Sequence, residues 1–142
     1  MTSDADRLEQ LGRARELRQR GEAARRSDDS MARKCYEEAV RLFREVGEPL
    51  TLAHTVRHLG DVYHEQGLSA LAEPCYHEAL SIYRNDETSP SLDLANAIRS
   101  LAVLRWVQAR VLWEEARDLY SSLGIEAGVN EGTDRLNALS AV

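Results

Sequence analysis

An all-α chain built of repeated helical pairs is predicted by three observations. The octet Cys35-Tyr36-Glu37-Glu38-Ala39-Val40-Arg41-Leu42 recurs 40 positions later as Cys75-Tyr76-His77-Glu78-Ala79-Leu80-Ser81-Ile82, and 37 positions further on as Leu112-Trp113-Glu114-Glu115-Ala116-Arg117-Asp118-Leu119. A second pattern, Leu52-Ala53-His54-Thr55-Val56-Arg57-His58-Leu59-Gly60, reappears as Leu94-Ala95-Asn96-Ala97-Ile98-Arg99-Ser100-Leu101-Ala102. Apolar residues follow one another at three- and four-residue steps, and no stretch alternates with period two, so helices are expected and a sheet is not. Two kinds of helix therefore alternate, A (the second pattern) and B (the octet).

The first unit is expected over about 5–47. Its A helix runs past Gly21. If Gly21 matches the turn residue Gly67, it stands 18 positions before Ala39, whereas Gly67 stands 12 before Ala79. That difference predicts a longer first connection around Ser27-Asp28-Asp29-Ser30. Ser30 then caps a B helix whose stripe is Met31, Cys35, Tyr36, Ala39, Leu42, Phe43 and Val46, and Gly47-Glu48-Pro49 ends it. The second unit, 50–85, has helices over 50–66 and 69–84 with Gly67 between them. Pro74 is expected in the first turns, where a missing N–H costs little. Asn85 to Pro90 form a loop, and Ser91 can cap the next helix.

The third unit, 92–123, is short. Leu59 to Ala79 spans 20 positions but Leu101 to Ala116 only 15, and the five missing residues fall where the turn belongs. What remains, residues 105–111, has no Gly, Pro, Asn, Asp or Ser and prefers helix or strand to a tight turn, and the apolar stripe runs through it with little slip of phase. One continuous helix is predicted, roughly 45 Å long at 1.5 Å per residue. Its second half would carry Trp106, Val107, Val111, Leu112, Ala116, Leu119, Tyr120 and Leu123 beyond the protomer's own core. An apolar stripe of that kind calls for a partner, and a two-fold homodimer exchanging residues from about 106 onward supplies one. The alternative is a distorted turn near Gln108 that keeps the chain monomeric. A last helix over 127–140, with Val129, Leu136 and Leu139 on one side and weakened by Gly128 and Gly132, would cap the open end.

Composition sets further bounds. The 142 residues suit one domain, 1–142; 43% are hydrophobic, which is enough for a core, and 30% are charged. The net charge is −6, spread unevenly. Residues 1–26 hold seven Arg against five acids, and residues 52–93 hold Arg57 and Arg84 against seven acids. That balance disfavours nucleic acid as a partner. No apolar segment of signal-peptide length follows Met1, and no run of about 18 apolar residues occurs, so the cytoplasm is the expected location and no membrane contact is expected. One lysine (Lys34) among abundant Arg and Ala hints at a GC-rich bacterial source. Cys35 and Cys75 precede Tyr at matching repeat positions and read as small buried residues rather than a disulfide or a zinc pair.

Leu59-Gly60, Tyr63, Gly67, Ala72, Tyr76 and Ala79 stand at the spacings of the tetratricopeptide repeat, and the chain resembles that family over about residues 8–123. The resemblance implies a right-handed superhelical solenoid of helical hairpins. It would hold about two and a half repeats, the third repeat's helices fused, plus the C-terminal capping helix. It also implies a non-enzymatic scaffold that binds a protein or peptide in a concave groove lined by the A helices. By matching positions, that groove would present His54, Arg57, His58, Asp61 and Glu65 from the second unit and Asn96, Arg99 and Ser100 from the third.

Arg57 and Arg99, at matched positions, could hold a carboxylate, or Arg57 could pair with Asp61 or Glu65 instead. His54, His58, Asp61 and His64 share one helix face, which raises a metal-responsive regulator as a lesser alternative; a helix-surface pair without a second ligand cluster binds weakly, so no metal or cofactor is expected. Histidines in the groove would weaken affinity for acidic peptides above about pH 6.5. No nucleophile elbow, phosphate loop or dinucleotide fingerprint occurs, which argues against catalysis. A structural homodimerisation module with no separate ligand is the remaining alternative.

Overall fold

The computed structural model describes residues 2–141, which form six helices and, among the described residues, no strand. In order they are α1 (Asp4–Ala24), α2 (Asp29–Val46), α3 (Pro49–Glu65), α4 (Ser69–Asn85), α5 (Ser91–Ser122) and α6 (Glu126–Ser140). Local chemistry explains most of the boundaries. Ser3 and Asp6 cap α1 reciprocally, each side chain accepting the other's backbone N–H. Gly47, at φ 78°, closes α2 with the left-handed turn that glycine adopts without strain. Pro49 opens α3, where its missing N–H has no intrahelical partner to lose.

Two expectations about boundaries need correction. Asp28, not Ser30, caps α2: its carboxylate accepts the Met31 N–H at 2.9 Å from an extended backbone, and Ser30 lies inside the helix. Pro74 is the sixth residue of α4, past the turn whose N–H groups are free, so the carbonyl of Ala70 lacks its usual helical donor.

The chain divides into two compact units, one ending at Leu101 and the other starting at Ala102. α5 contributes its beginning to the first and the rest to the second. In the first unit α1 packs on α2, α2 on α3, and α3 on α4. Its core is made of small and aromatic side chains: Ala14, Ala32, Ala39, Ala53, Ala72 and Ala79 are fully buried, with Tyr36, Phe43 and Tyr76 between the helices.

Glycine sets the helix spacing. A Cβ on Gly21 would lie 2.8 Å from the Tyr36 ring, and one on Gly60 would lie 2.7 Å from the Tyr76 ring, with the Cβ atoms of Cys35 and Cys75 next nearest in each case. Gly21 is thus the counterpart of Gly60, not of Gly67. Aligned this way the two pairs differ by a single residue, and the connections are residues 25–28 and 66–68. The long first loop inferred from Gly67 does not exist, because Gly21 sits within α1 at a point of close helix approach.

In the second unit α6 runs back along α5. Tyr120 lies against Gly128, Arg117 against Gly132, the Arg135 guanidinium 5.5 Å over the Trp113 ring, and the Trp106 indole N–H donates to the Leu139 carbonyl at 3.2 Å. Gly128 and Gly132 are buried and make room for these side chains, a packing gain set against the propensity cost of glycine in α6.

Candidate binding groove

α1 and α3 are successive A helices, and a cavity of about 230 Å³ lies between them, lined by Arg18, Gln19 and Glu22 of α1, Tyr36 of α2, and His54 and His58 of α3. A second, of about 630 Å³, is lined by Glu22, Ala23, Arg25, Arg26 and Glu65. Glu22 borders both.

Beneath the first cavity the repeat generates the same hydrogen bond twice. The Tyr36 hydroxyl donates to Glu22 at 2.6 Å, and the Tyr76 hydroxyl donates to Asp61 at 2.7 Å. Each tyrosine that covers a glycine also satisfies the carboxylate one residue further on. Burial pushes the Asp61 carboxyl above its ordinary range despite the Tyr76 donor, whereas the Tyr36 donor holds Glu22 below it.

Arg57 is 9% exposed and works inward. Its Nη1 donates to Asp61 at 3.3 Å, and its Nη2 lies 3.1 Å from His58 Nε2. Facing a guanidinium, that nitrogen is the acceptor, which assigns the proton to Nδ1, 3.6 Å from Asp61. Burial first, then Arg57, depress His58 to about 4. His54 meets the His58 ring edge-on at 4.6 Å, and burial lowers it as well. Neither histidine is therefore a positive charge at neutral pH, and the loss of acidic-peptide affinity anticipated near pH 6.5 has no basis in these two groups. The neighbouring guanidinium also opposes a metal cation at His58 Nε2. Among the described residues no set of three or more His, Cys, Asp or Glu side chains converges as metal ligands.

Of the other expected groove residues, Glu65 is bound by Arg25, whose Nε donates to it at 3.2 Å. His64 lies on α3 with its Nδ1 buried and without a protein partner. Asn96 and Ser100 are half-buried and Arg99 is exposed on the first part of α5. The structure thus brings His54, Arg57, His58 and Asp61 into one network. Arg18, Gln19, Glu22, Arg25 and Tyr36 were missed by the sequence reading. The signal was present: setting Gly21 on Gly60 places Arg18 on Arg57 and Glu22 on Asp61.

The residues expected at a dimer contact separate into faces of α5. Trp106 and Tyr120 belong to the side that meets α6. Leu112, Leu119 and Leu123 are 64%, 58% and 70% exposed; Val111 is also exposed, and Val107 and Ala116 are half-buried.

These features define a helical-hairpin repeat with a cavity between α1 and α3. The family model for the tetratricopeptide repeat matches residues 12–85, more than half of the chain, and the protein belongs to that family. The matched segment ends with α4, before α5 begins. Members of this family generally mediate protein–protein interaction and are typically not enzymes. No curated protein and no solved structure matched the chain. Among the described residues no helix is long and apolar enough to cross a membrane.

Proposed function

We propose that the protein is a non-catalytic scaffold that holds a segment of another protein in the groove between α1 and α3. The observation that carries this reading is the cavity bordered by Arg18, Gln19, Tyr36, His54 and His58, on the side formed by successive A helices. Arg18 is the accessible cation there. Its guanidinium lies 5.6 Å over the Phe43 ring, which holds the charged end in place for a ligand carboxylate. Arg57 acts from below: burial first, and then Arg57, which also binds Asp61, keep His58 neutral, so that wall of the cavity carries no second cation. Asn96, Arg99 and Ser100 extend the polar surface along α5.

Peptides selected by display against the full chain test this. The Arg18→Glu variant is expected to lose at least about tenfold in affinity by calorimetry, while Arg84→Glu on α4 is neutral. Selected peptides that bind Arg18→Glu as tightly as the parent, or leave the His54 and His58 ring resonances unmoved, would overturn the groove assignment.

A further inference from the structure

We propose that the second unit docks a second copy of this chain, α5 against α5 in antiparallel, through a seam that α6 leaves open. The seam is read from spacing. Ala102, Ala109 and Ala116 alternate with Arg105, Leu112 and Leu119 in strict steps of three and four, closing at Leu123. This is the 3.5-residue repeat by which one helix meets another along its length, not the broader stripe of a helix lying on a globular core. α6 takes the neighbouring face, on Trp106, Trp113, Arg117 and Tyr120. Most of the seam is open to solvent: Leu112, Leu119 and Leu123 are each more than half exposed and Ala102 is exposed as well, while Ala109 and Ala116 between them are half-buried.

The occupant follows from the order of side chains. From Ala102 to Leu119 small residues hold one position of the repeat and large ones the other, and Leu123 is a large residue at the alanines' position. A parallel copy in register would set alanine on alanine, leaving gaps, and Arg105 on Arg105, bringing like charges together. An antiparallel copy places Ala109 opposite Leu112 of the second copy. The same register then sets Ala102 opposite Leu119 and Ala116 opposite Arg105, small against large at these three levels. Arg105 comes beside Glu115 of the second copy, opposite charges at the flank of the seam, and the two-fold axis repeats the pair. A polar residue at a seam position is also what fixes register and orientation. Seven seam residues per copy are fewer than the roughly 20–30 of a standard interface, so the association is reversible and concentration dependent. The inference does not rest on the groove reading, whose residues belong to the other unit.

Two measurements on the full chain decide it. Sedimentation equilibrium from about 1 to 200 µM is expected to show a monomer–dimer equilibrium. The Leu112→Glu/Leu119→Glu variant should weaken it at least about tenfold with helix content unchanged. Oxidative cross-linking then reads orientation. Leu112→Cys lies near the two-fold axis and should link, whereas two copies of Leu123→Cys lie on the order of 35 Å apart and should not. The native thiols are a quiet background: Cys35 is buried, and burial pushes Cys75 up to about 11. A chain that stays monomeric at the highest concentration overturns the proposal and leaves the seam to a helix of a different protein. A dimer indifferent to the double variant, as an exchange of the C-terminal helices through other contacts would give, also overturns it. So does linkage through Leu123→Cys without Leu112→Cys, the pattern of a parallel pair.

Discussion

Gly60 and Gly12 are both helical glycines, and they should answer opposite ways to the same substitution. A methyl at Gly60 would meet the Tyr76 ring, itself fully buried, so ring or helix must move; over-packing of this kind costs about 1–3 kcal/mol. Gly21 faces Tyr36 in the same way. Nothing lies within 4 Å of a methyl at Gly12, and Gly12→Ala should stabilise by about 0.5–1 kcal/mol through helix propensity alone. Urea denaturation of the three variants checks the pattern, and a neutral Gly60→Ala would contradict the close approach of α3 and α4. His58 permits a second test at this scale. Its folded value of about 4 lies below the ordinary 6.5, so the unfolded chain takes up the proton first. Stability from this group is intact above pH 6.5 and is lost as pH falls toward 4, then levels off. Asp61 works in the opposite sense, because its raised carboxyl relieves a buried charge on protonation. NMR titration of the imidazole should place the His58 midpoint near 4; a midpoint near 6.5 would mean that the ring is hydrated and not held by Arg57.

Helix ends carry the next scale. Asp28 satisfies a free N–H of α2 and sits at the positive end of its dipole, so Asp28→Ala should cost about 1 kcal/mol. Ser30→Ala, inside the helix, should be neutral or slightly stabilising. Thermal unfolding of the pair distinguishes the two candidate caps. Exposed hydrogen bonds supplement the core between α2 and α3: Tyr63 donates to Glu37 at 2.8 Å, and the amide of Gln66, just past the end of α3, to the Asp29 carbonyl at 2.9 Å. Partly exposed bonds of this sort orient helices more than they stabilise them. The order of helices was legible from the recurrence of the octet. The first connection was misread because Gly21 was set against a turn glycine, when its role is to admit a tyrosine ring.

At the scale of the molecule, the two proposed surfaces belong to different units, and each is expected to act without the other. Arg18→Glu is expected to leave self-association unchanged, and Leu112→Glu/Leu119→Glu to leave groove affinity unchanged; the same calorimetry and sedimentation runs test both. Coupling between them would instead require a shared equilibrium to which both surfaces contribute.

Repetition and periodicity determined the helices, their order and the membership of the family, because those properties are local: they depend on which residues recur at steps of three, four and about forty. The A-helix residues of α3 could be named for the same reason. What only the tertiary structure decided was the state of those residues. In sequence Arg57 could hold a ligand carboxylate or pair with Asp61 or Glu65; packing of α3 buries it against Asp61 and His58, and burial then holds His58 neutral. Which side of α5 remains open was likewise not legible, because it depends on where α6 returns. That return is set by the room Gly128 and Gly132 leave for Tyr120 and Arg117, a fit between residues that periodicity along one helix does not record.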